Sequence, residues 1–185
     1  MSFSLVDLEP NAEELIGQAA QILLEAFRNR SEDWQDIESA RGEVLESLAP
    51  GRISRALLDE SGITLGWIGG LPMYDGRVWE VHPLVVRASH RGRGIGRALV
   101  EDLERLVVPR GALTLWAGSD DENSGTTLSG IDLYPNIPDA MRSIRNIGHH
   151  PYEFYLRVGF RIAGVLPDAN GRGKPDIFLA KRVGA

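Results

Sequence analysis

The chain has no cysteine among its 185 residues, which excludes disulfide bonds, a thiol nucleophile and metal sites with thiolate ligands. It also lacks any apolar run near the ~18 residues that a membrane-spanning helix needs. The first ten residues hold no apolar core of a signal peptide. With 43% hydrophobic residues and a length typical of one domain, we expect a single domain, residues 1–185, in the cytoplasm and without a membrane partner.

Positive charge is scarce in the first third of the chain. Residues 1–60 contain 13 acidic residues, five arginines and no lysine, a formal charge of −8 within a net charge of −6. Such a surface repels nucleic acid and attracts a cationic ligand. For any single carboxylate, a solvated surface position that serves solubility remains the alternative. We expect no nucleic-acid partner.

Apolar periodicity predicts alternating strands and helices, and therefore an α/β fold. Asn11 is expected to cap the first helix. The predicted strands cover residues 3–8, 52–59, 64–71, 78–86, 112–117, 160–166 and 176–181. The predicted helices cover residues 11–28, 37–48, 95–108, 137–147 and 151–158.

The most informative stretch is the loop Arg91-Gly92-Arg93-Gly94-Ile95-Gly96, which joins the strand at 78–86 to an amphipathic helix. Glycine permits positive φ angles and lets the backbone approach a ligand closely. A helix start offers N–H groups without intrahelical partners and the positive end of the helix dipole. Together with two arginines, these features predict a cradle for a diphosphate.

Two common phosphate-binding motifs do not fit this loop. The dinucleotide pattern G-x-G-x-x-G, counted from Gly92, would need a third glycine where Arg97 stands. A P-loop needs Gly-Lys followed by Ser or Thr, but Gly173-Lys174 is followed by Pro175. The remaining pattern is R-x-x-G-x-G.

This pattern resembles the loop through which GNAT N-acetyltransferases bind acetyl-CoA. The segment 153–160, EFYLRVGF, is similar to the F-Y-x-x-x-G-F segment of the same family. The resemblance implies acetyl-CoA as cosubstrate, no metal, and a mixed, mostly antiparallel central sheet flanked by helices and splayed between the strands near 78–86 and 112–117. It also implies cofactor contacts by Leu84, Val85, Val86, Arg91, Gly92, Arg93, Gly94, Ile95, Gly96 and Arg97.

Acetyl transfer to an amine requires a general base, because a primary amine is protonated at neutral pH. Strand alternation places Glu80 and His82 on one face of the strand at 78–86. Glu80 is our first choice as base, since the family often uses a carboxylate on this strand, and His82 is the second choice. The alternative interpretation of His82, as a hydrogen-bonded histidine of the core without a catalytic role, remains open. The resemblance further implies that Tyr155 donates a hydrogen bond or proton to the thioester sulfur.

Several segments together look like the aminoglycoside 6′-N-acetyltransferase branch of the family. They include the stretches GWIGG, WEVHPLVV, GSDDE and PDANGRGKPDI. This resemblance implies a small cationic aminosugar as acceptor, and a homodimer, since relatives are often dimers. The acceptor residues that it implies are Trp34, Asp36, Tyr74, Asp120, Asp121 and Glu122.

Other interpretations remain open at this point. The acceptor is alternatively a polyamine, an amino-acid derivative or a protein N-terminus, or the chain is a CoA-binding sensor without activity. The acidic segment 119–123 is alternatively a solvated loop or a calcium site, although the glutamate that ends an EF-hand loop is missing. Many relatives carry an asparagine seven residues before the tyrosine. Here that position is Gly148, and Asn146 lies out of register.

Overall fold

The computed structural model describes residues 3–28 and 34–184. These form two compact units, one of residues 3–28, 34–115 and 183–184 and the other of residues 116–182. The strands are β1 (Ser4–Asp7), β2 (Ile53–Leu58), β3 (Thr64–Met73), β4 (Val78–Val86), β5 (Thr114–Asp120), β6 (Arg161–Leu166) and β7 (Asp176–Arg182). The helices are α1 (Glu13–Phe27), α2 (Ile37–Glu46), α3 (Ile95–Val107), α4 (Ile137–Arg142) and α5 (Tyr152–Arg157). No helix in the described ranges is long and apolar enough to cross a membrane.

The first unit is built on the antiparallel strands β1 to β4, in chain order. Helix α3 packs against one face of β3, where a Cβ at Gly66 would meet Ile95 and Leu99 at 2.9 Å. Trp67, the next residue of β3, belongs instead to the apolar cluster formed with α1 and α2. Glycine on β3 therefore lets one helix lie close to the strand while large side chains pack on the other face.

Strand β4 carries an irregularity beside Gly69 of β3. The register runs from Ile68↔Leu84 to Gly70↔Val81, so β4 has one residue more than β3 across this interval. A Cβ on Gly69 would lie 2.1 Å from the carbonyl oxygen of His82, which only glycine tolerates. The bulge thus lies in the part of β4 that contains Glu80 and His82, the two candidates for the general base.

The helix ends of this unit follow local signals only in part. Asp36 caps α2, with its carboxylate accepting from the backbone N–H of Ser39 at 2.8 Å, and the Ser39 side chain completes a capping box. The predicted cap at Asn11 is wrong. Helix α1 begins at Glu13 after Ala12, which makes no side-chain capping bond within the described chain.

The second unit contains β5 from residue 116 onward, β7 and β6 in that spatial order, with β6 and β7 antiparallel. Its core includes the buried residues Phe160, Ile177 and Leu179. The segment between β5 and α5 is mostly irregular, as expected, and is tied together by the isolated bridge Thr126↔Asn146. The strands and helices confirm the predicted α/β class.

Two elements differ from the predicted bounds by three or more residues at one end. Helix α4 ends at Arg142 instead of 147, because residues 145–148 instead bond to residues 125–127, as in the bond from the Ile147 N–H to the Gly125 carbonyl at 2.8 Å. Strand β5 runs from Thr114 to Asp120 and so continues beyond the predicted end at 117. The acidic segment therefore begins inside the strand.

Candidate active site

The loop before α3 has the backbone of an anion cradle. Gly92 and Gly94 adopt φ angles of +75° and +84°, and a Cβ added at either one would meet no atom of the described chain within 4 Å. Gly94 is the N-cap of α3, and no described side chain caps that helix start. Open space, N–H groups without intrahelical partners and the helix dipole thus coincide, which is what a diphosphate requires. The residues present fit the diphosphate of coenzyme A.

The arginines and strand residues predicted for the cofactor lie in this loop, in the first turn of α3 and at the end of β4. Arg91 donates from Nε to the Val86 carbonyl at 3.2 Å, which ties the loop to the end of β4. The Nη1 atom of Arg97 lies 3.7 Å from Oε1 of Glu101, which is one turn further along α3. Arg93 is exposed, Ile95 is buried as the first residue of α3, and Gly96 follows it in the first turn. Leu84, Val85 and Val86 occupy the last three positions of β4, opposite residues 66–68 of β3.

Glu80 and His82 lie on the half-exposed face of β4. Burial alternates along this strand, with Trp79, Val81 and Pro83 buried and the two functional candidates partly exposed between them. Burial raises the pKa of Glu80; His82 acts in the lowering direction and Glu43 raises the pKa further. A carboxylate with a raised pKa is a better proton acceptor near neutral pH, as a general base requires.

Glu43 of α2 joins this pair and was missed by sequence reasoning. Its Oε1 lies 3.6 Å from Nε2 of His82, and its side chain is only 17% exposed. Its sequence position could have indicated this, because Glu43 lies three residues after Ala40 and next to Val44, the two buried residues of α2. A carboxylate on the inward side of an amphipathic helix is unusual and points to a partner.

Trp34 also reaches this cluster, but as a packing residue. Its ring centroid lies 6.0 Å from that of His82 and 4.6 Å from that of Phe27. Only 9% of Trp34 is exposed. The indole therefore forms an apolar wall beside His82 and offers little free face for stacking on a sugar.

Asp36 and Tyr74, the other implied acceptor residues of the first unit, occupy different settings. Asp36 is engaged in capping α2, and the hydrogen bonds from the Ser39 backbone and hydroxyl lower its pKa. Tyr74 is 72% exposed in the turn between β3 and β4. The hairpin pair Met73↔Val78 lies two positions from the pair Leu71↔Glu80, so Tyr74 is near Glu80 along the hairpin.

Tyr155 lies in the short helix α5 of the second unit, where the sequence placed it. It is 8% exposed and packs edge-on against Phe154 and Phe160, with centroids 5.3 Å apart in each case. Burial raises its pKa, so the side chain keeps its proton at neutral pH. Gly159, with φ of +101°, ends the helix as expected, and the Phe160 N–H bonds back to the Tyr155 carbonyl at 3.0 Å.

Asp121 has a role other than the one that the resemblance implied. It is 1% exposed, and its carboxylate accepts from the Gly125 N–H at 2.6 Å, the Thr126 N–H at 2.9 Å and the Thr126 hydroxyl at 2.7 Å. A buried carboxylate satisfied by three donors of its own loop is a structural anchor. We therefore remove Asp121 from the acceptor residues.

The neighbours of Asp121 differ from it in exposure. Asp120 is exposed, and its carboxylate accepts from the Asn170 amide at 2.5 Å while its carbonyl contacts the His150 ring at 3.0 Å. Glu122 is partly exposed. Of the three acidic residues, only Asp120 and Glu122 therefore present surface that an acceptor could reach.

The glycine at position 148 has a packing reason. A Cβ there would stand 2.9 Å from the Gly125 Cα. Asn146 instead uses its side chain locally, accepting from the His150 N–H at 2.8 Å and donating to the His150 carbonyl at 2.9 Å. The asparagine of relatives thus has no counterpart at this position, because two backbones meet there.

Comparison with known proteins agrees with this geometry. The model of the acetyltransferase (GNAT) family matches residues 17–128. A solved aminoglycoside 6′-N-acetyltransferase complexed with coenzyme A shares 41% identity over 97% of both chains, with a TM-score of 0.89. The aminoglycoside 6′-N-acetyltransferase from Enterococcus faecium shares 41% identity over 97% of both chains, with a TM-score of 0.87. An aminoglycoside 6′-acetyltransferase type Ii shares 35% identity over 97% of both chains, with a TM-score of 0.74. No curated protein matches the sequence.

The fold and the diphosphate cradle define an acyl-CoA-dependent transferase. The chain belongs to the GNAT acetyltransferase family, and it is an N-acetyltransferase that uses acetyl-CoA.

Proposed function

We propose that this enzyme transfers the acetyl group of acetyl-CoA to the 6′-amino group of an aminoglycoside. The observation that carries the choice of acceptor is the 41% identity, over 97% of both chains, with aminoglycoside 6′-N-acetyltransferases. The acidic first third of the chain supports this choice, because it attracts a polycation.

Acetyl-CoA supplies the activated acyl group. The N–H groups of Gly94, Ile95 and Gly96 would hold its diphosphate at the start of α3, with Arg91 and Arg93 adding positive charge. The backbone of Leu84, Val85 and Val86 would bind its pantetheine arm, as the family resemblance implies. These contacts position the acyl group and leave the proton transfer to side chains.

Glu80 would act as the general base. The acceptor arrives as an ammonium ion, and the Glu80 carboxylate, on the partly exposed face of β4, accepts its proton. The raised pKa of Glu80, caused first by burial, brings its basicity closer to that of the amine. Tyr155, which keeps its proton at neutral pH, would donate to the departing sulfur.

Binding of the acceptor is the remaining role, and its candidates are taken one by one from the family resemblance. We assign Tyr74, Asp36, Asp120 and Glu122 to this role, with Trp34 as a packing wall. A homodimer and a cytoplasmic location belong to the same proposal. Light scattering of the purified protein tests the first, and fractionation of the source cells tests the second.

The experiment compares two aminoglycosides that differ only in bearing a 6′-amino or a 6′-hydroxyl group. We expect thiol release from acetyl-CoA with the first and background release with the second. Mass spectrometry should show a product heavier by one acetyl group. Activity on peptides or polyamines without activity on the 6′-amino compound would overturn the choice of acceptor, and saturable CoA binding without turnover on any amine would favour a sensor.

A further inference from the structure

Glu43 lies on α2 and contacts His82 on β4, the strand that also carries Glu80. Its Oε1 lies 3.6 Å from the Nε2 atom of His82. Helix α2 is fixed at its start by the Asp36 capping box and through its inner face by the buried Ala40 and Val44. A carboxylate held this firmly presents a defined charge to the imidazole.

The imidazole of His82 is confined on two sides. The Trp34 ring stands at a centroid distance of 6.0 Å and an angle of 48°, and the Glu43 carboxylate faces Nε2. The His82 side chain is still 41% exposed, so one side remains open to a ligand. The ring is therefore oriented by contacts that belong to different elements of the first unit.

The pKa of Glu80 depends on both His82 and Glu43. Among the described residues, the titratable neighbours that affect the pKa of Glu80 are His82 on its own strand and Glu43 on α2. Burial raises the pKa most, His82 acts to lower it, and the Glu43 carboxylate raises it. Proton uptake by Glu80 thus depends on a residue that lies on another element.

We propose that Glu43 is a positioning residue for acetyl transfer, holding the His82 imidazole at Nε2 and setting the charge around Glu80. The inference rests on the proposed function, in which Glu80 accepts the acceptor's proton. Glu43 acts through its neighbours and takes no part in binding acetyl-CoA, since the diphosphate cradle lies at the start of α3.

The test uses Glu43→Gln, which keeps the shape of the side chain and removes its charge, and Glu43→Asp, which keeps the charge. The matched control is Glu46→Gln, which removes one charge from the same helix at a residue paired with Arg52 at 2.9 Å. With the 6′-amino acceptor, we expect kcat of Glu43→Gln to fall about tenfold, with an unchanged KM for acetyl-CoA. Glu43→Asp should recover part of the loss, and Glu46→Gln should behave as the parent.

Two further readouts separate positioning from a purely structural role. The acid limb of the pH profile should move to lower pH in Glu43→Gln, because removal of a negative neighbour lowers the pKa of Glu80. The proton resonances of the His82 ring should shift in Glu43→Gln and stay in place in Glu46→Gln. A parental pH profile together with parental His82 resonances in folded Glu43→Gln would overturn the inference.

The two failures can be told apart. If the parent enzyme does not acetylate the 6′-amino compound, the proposed function fails, and the His82 resonances still test the contact without any turnover. If the parent is active while Glu43→Gln keeps its kcat and pH profile, the positioning role alone fails.

Discussion

Gly148 and Gly125 meet backbone to backbone, so that a Cβ on residue 148 would lie 2.9 Å from the Gly125 Cα. Two hydrogen bonds fix this contact, from the N–H groups of Ile147 and Gly148 to the Gly125 carbonyl, at 2.8 and 2.9 Å. The contact holds the segment before α5 against the loop that follows β5, within the second unit.

Replacement of Gly148 by alanine should destabilise the fold by about 1–3 kcal/mol, because backbone atoms cannot move aside cheaply. Urea unfolding gives the free energy of unfolding. The control is Gly17→Ala in α1, where the new Cβ meets no described atom within 4 Å and helix propensity gains about 0.5–1 kcal/mol. Equal stabilities of the two variants would contradict the close contact.

Gly94→Val should abolish saturable binding of coenzyme A. The φ angle of +84° strains any side chain there, and the new Cβ enters the open space beside the start of α3. Isothermal calorimetry measures the binding. Gly111→Val carries a similar strain, with φ of +89° in a turn away from the loop, and should bind coenzyme A like the parent. Unchanged affinity of a folded Gly94→Val variant would refute the cradle.

Glu80→Gln should lower kcat by about 10²–10⁴-fold and remove the acid limb of the pH profile, because the general base is lost. Stopped assays between pH 5 and 9 measure both effects. A variant that retained the parental acid limb would show that another group accepts the proton.

The same variant has a consequence for stability. Burial raises the pKa of Glu80 above its ordinary value, so its protonated form favours the folded state, and this stability is lost as the pH rises through the folded pKa. Glu80→Gln should therefore melt higher than the parent at pH 7 and equally at pH 3–4. Thermal scans at the two pH values check this, and a lower Tm at pH 7 would speak against a raised pKa.

Asp121→Asn should destabilise the protein by about 1.5–3 kcal/mol, because an amide cannot accept all three hydrogen bonds that the buried carboxylate receives. Asp120→Asn, at the exposed neighbouring position, should change stability by less than about 0.5 kcal/mol. Chemical denaturation of both variants provides the comparison. A larger loss in Asp120→Asn would mean that the anchor has been misassigned.

The sequence by itself determined those features of the loop, the strand and the helix end that depend on local chemistry. Glycine at positions 92 and 94 adopts the positive φ angles that the loop needs, and Gly159 ends α5 as a C′ residue. Alternation along residues 78–86 fixed which side chains of β4 share a face with Glu80. These features depend on neighbours within a few residues, and their order matched a known family.

Contacts between distant residues were decided only by the tertiary structure. Whether Asp121 faces solvent or closes its own loop depends on where the chain places Thr126, and the fit of residue 148 depends on Gly125. Glu43 becomes a neighbour of His82 only when the fold brings α2 within side-chain reach of β4, across a separation of 39 positions along the chain. Such pairings follow from packing of whole elements, which no local pattern encodes.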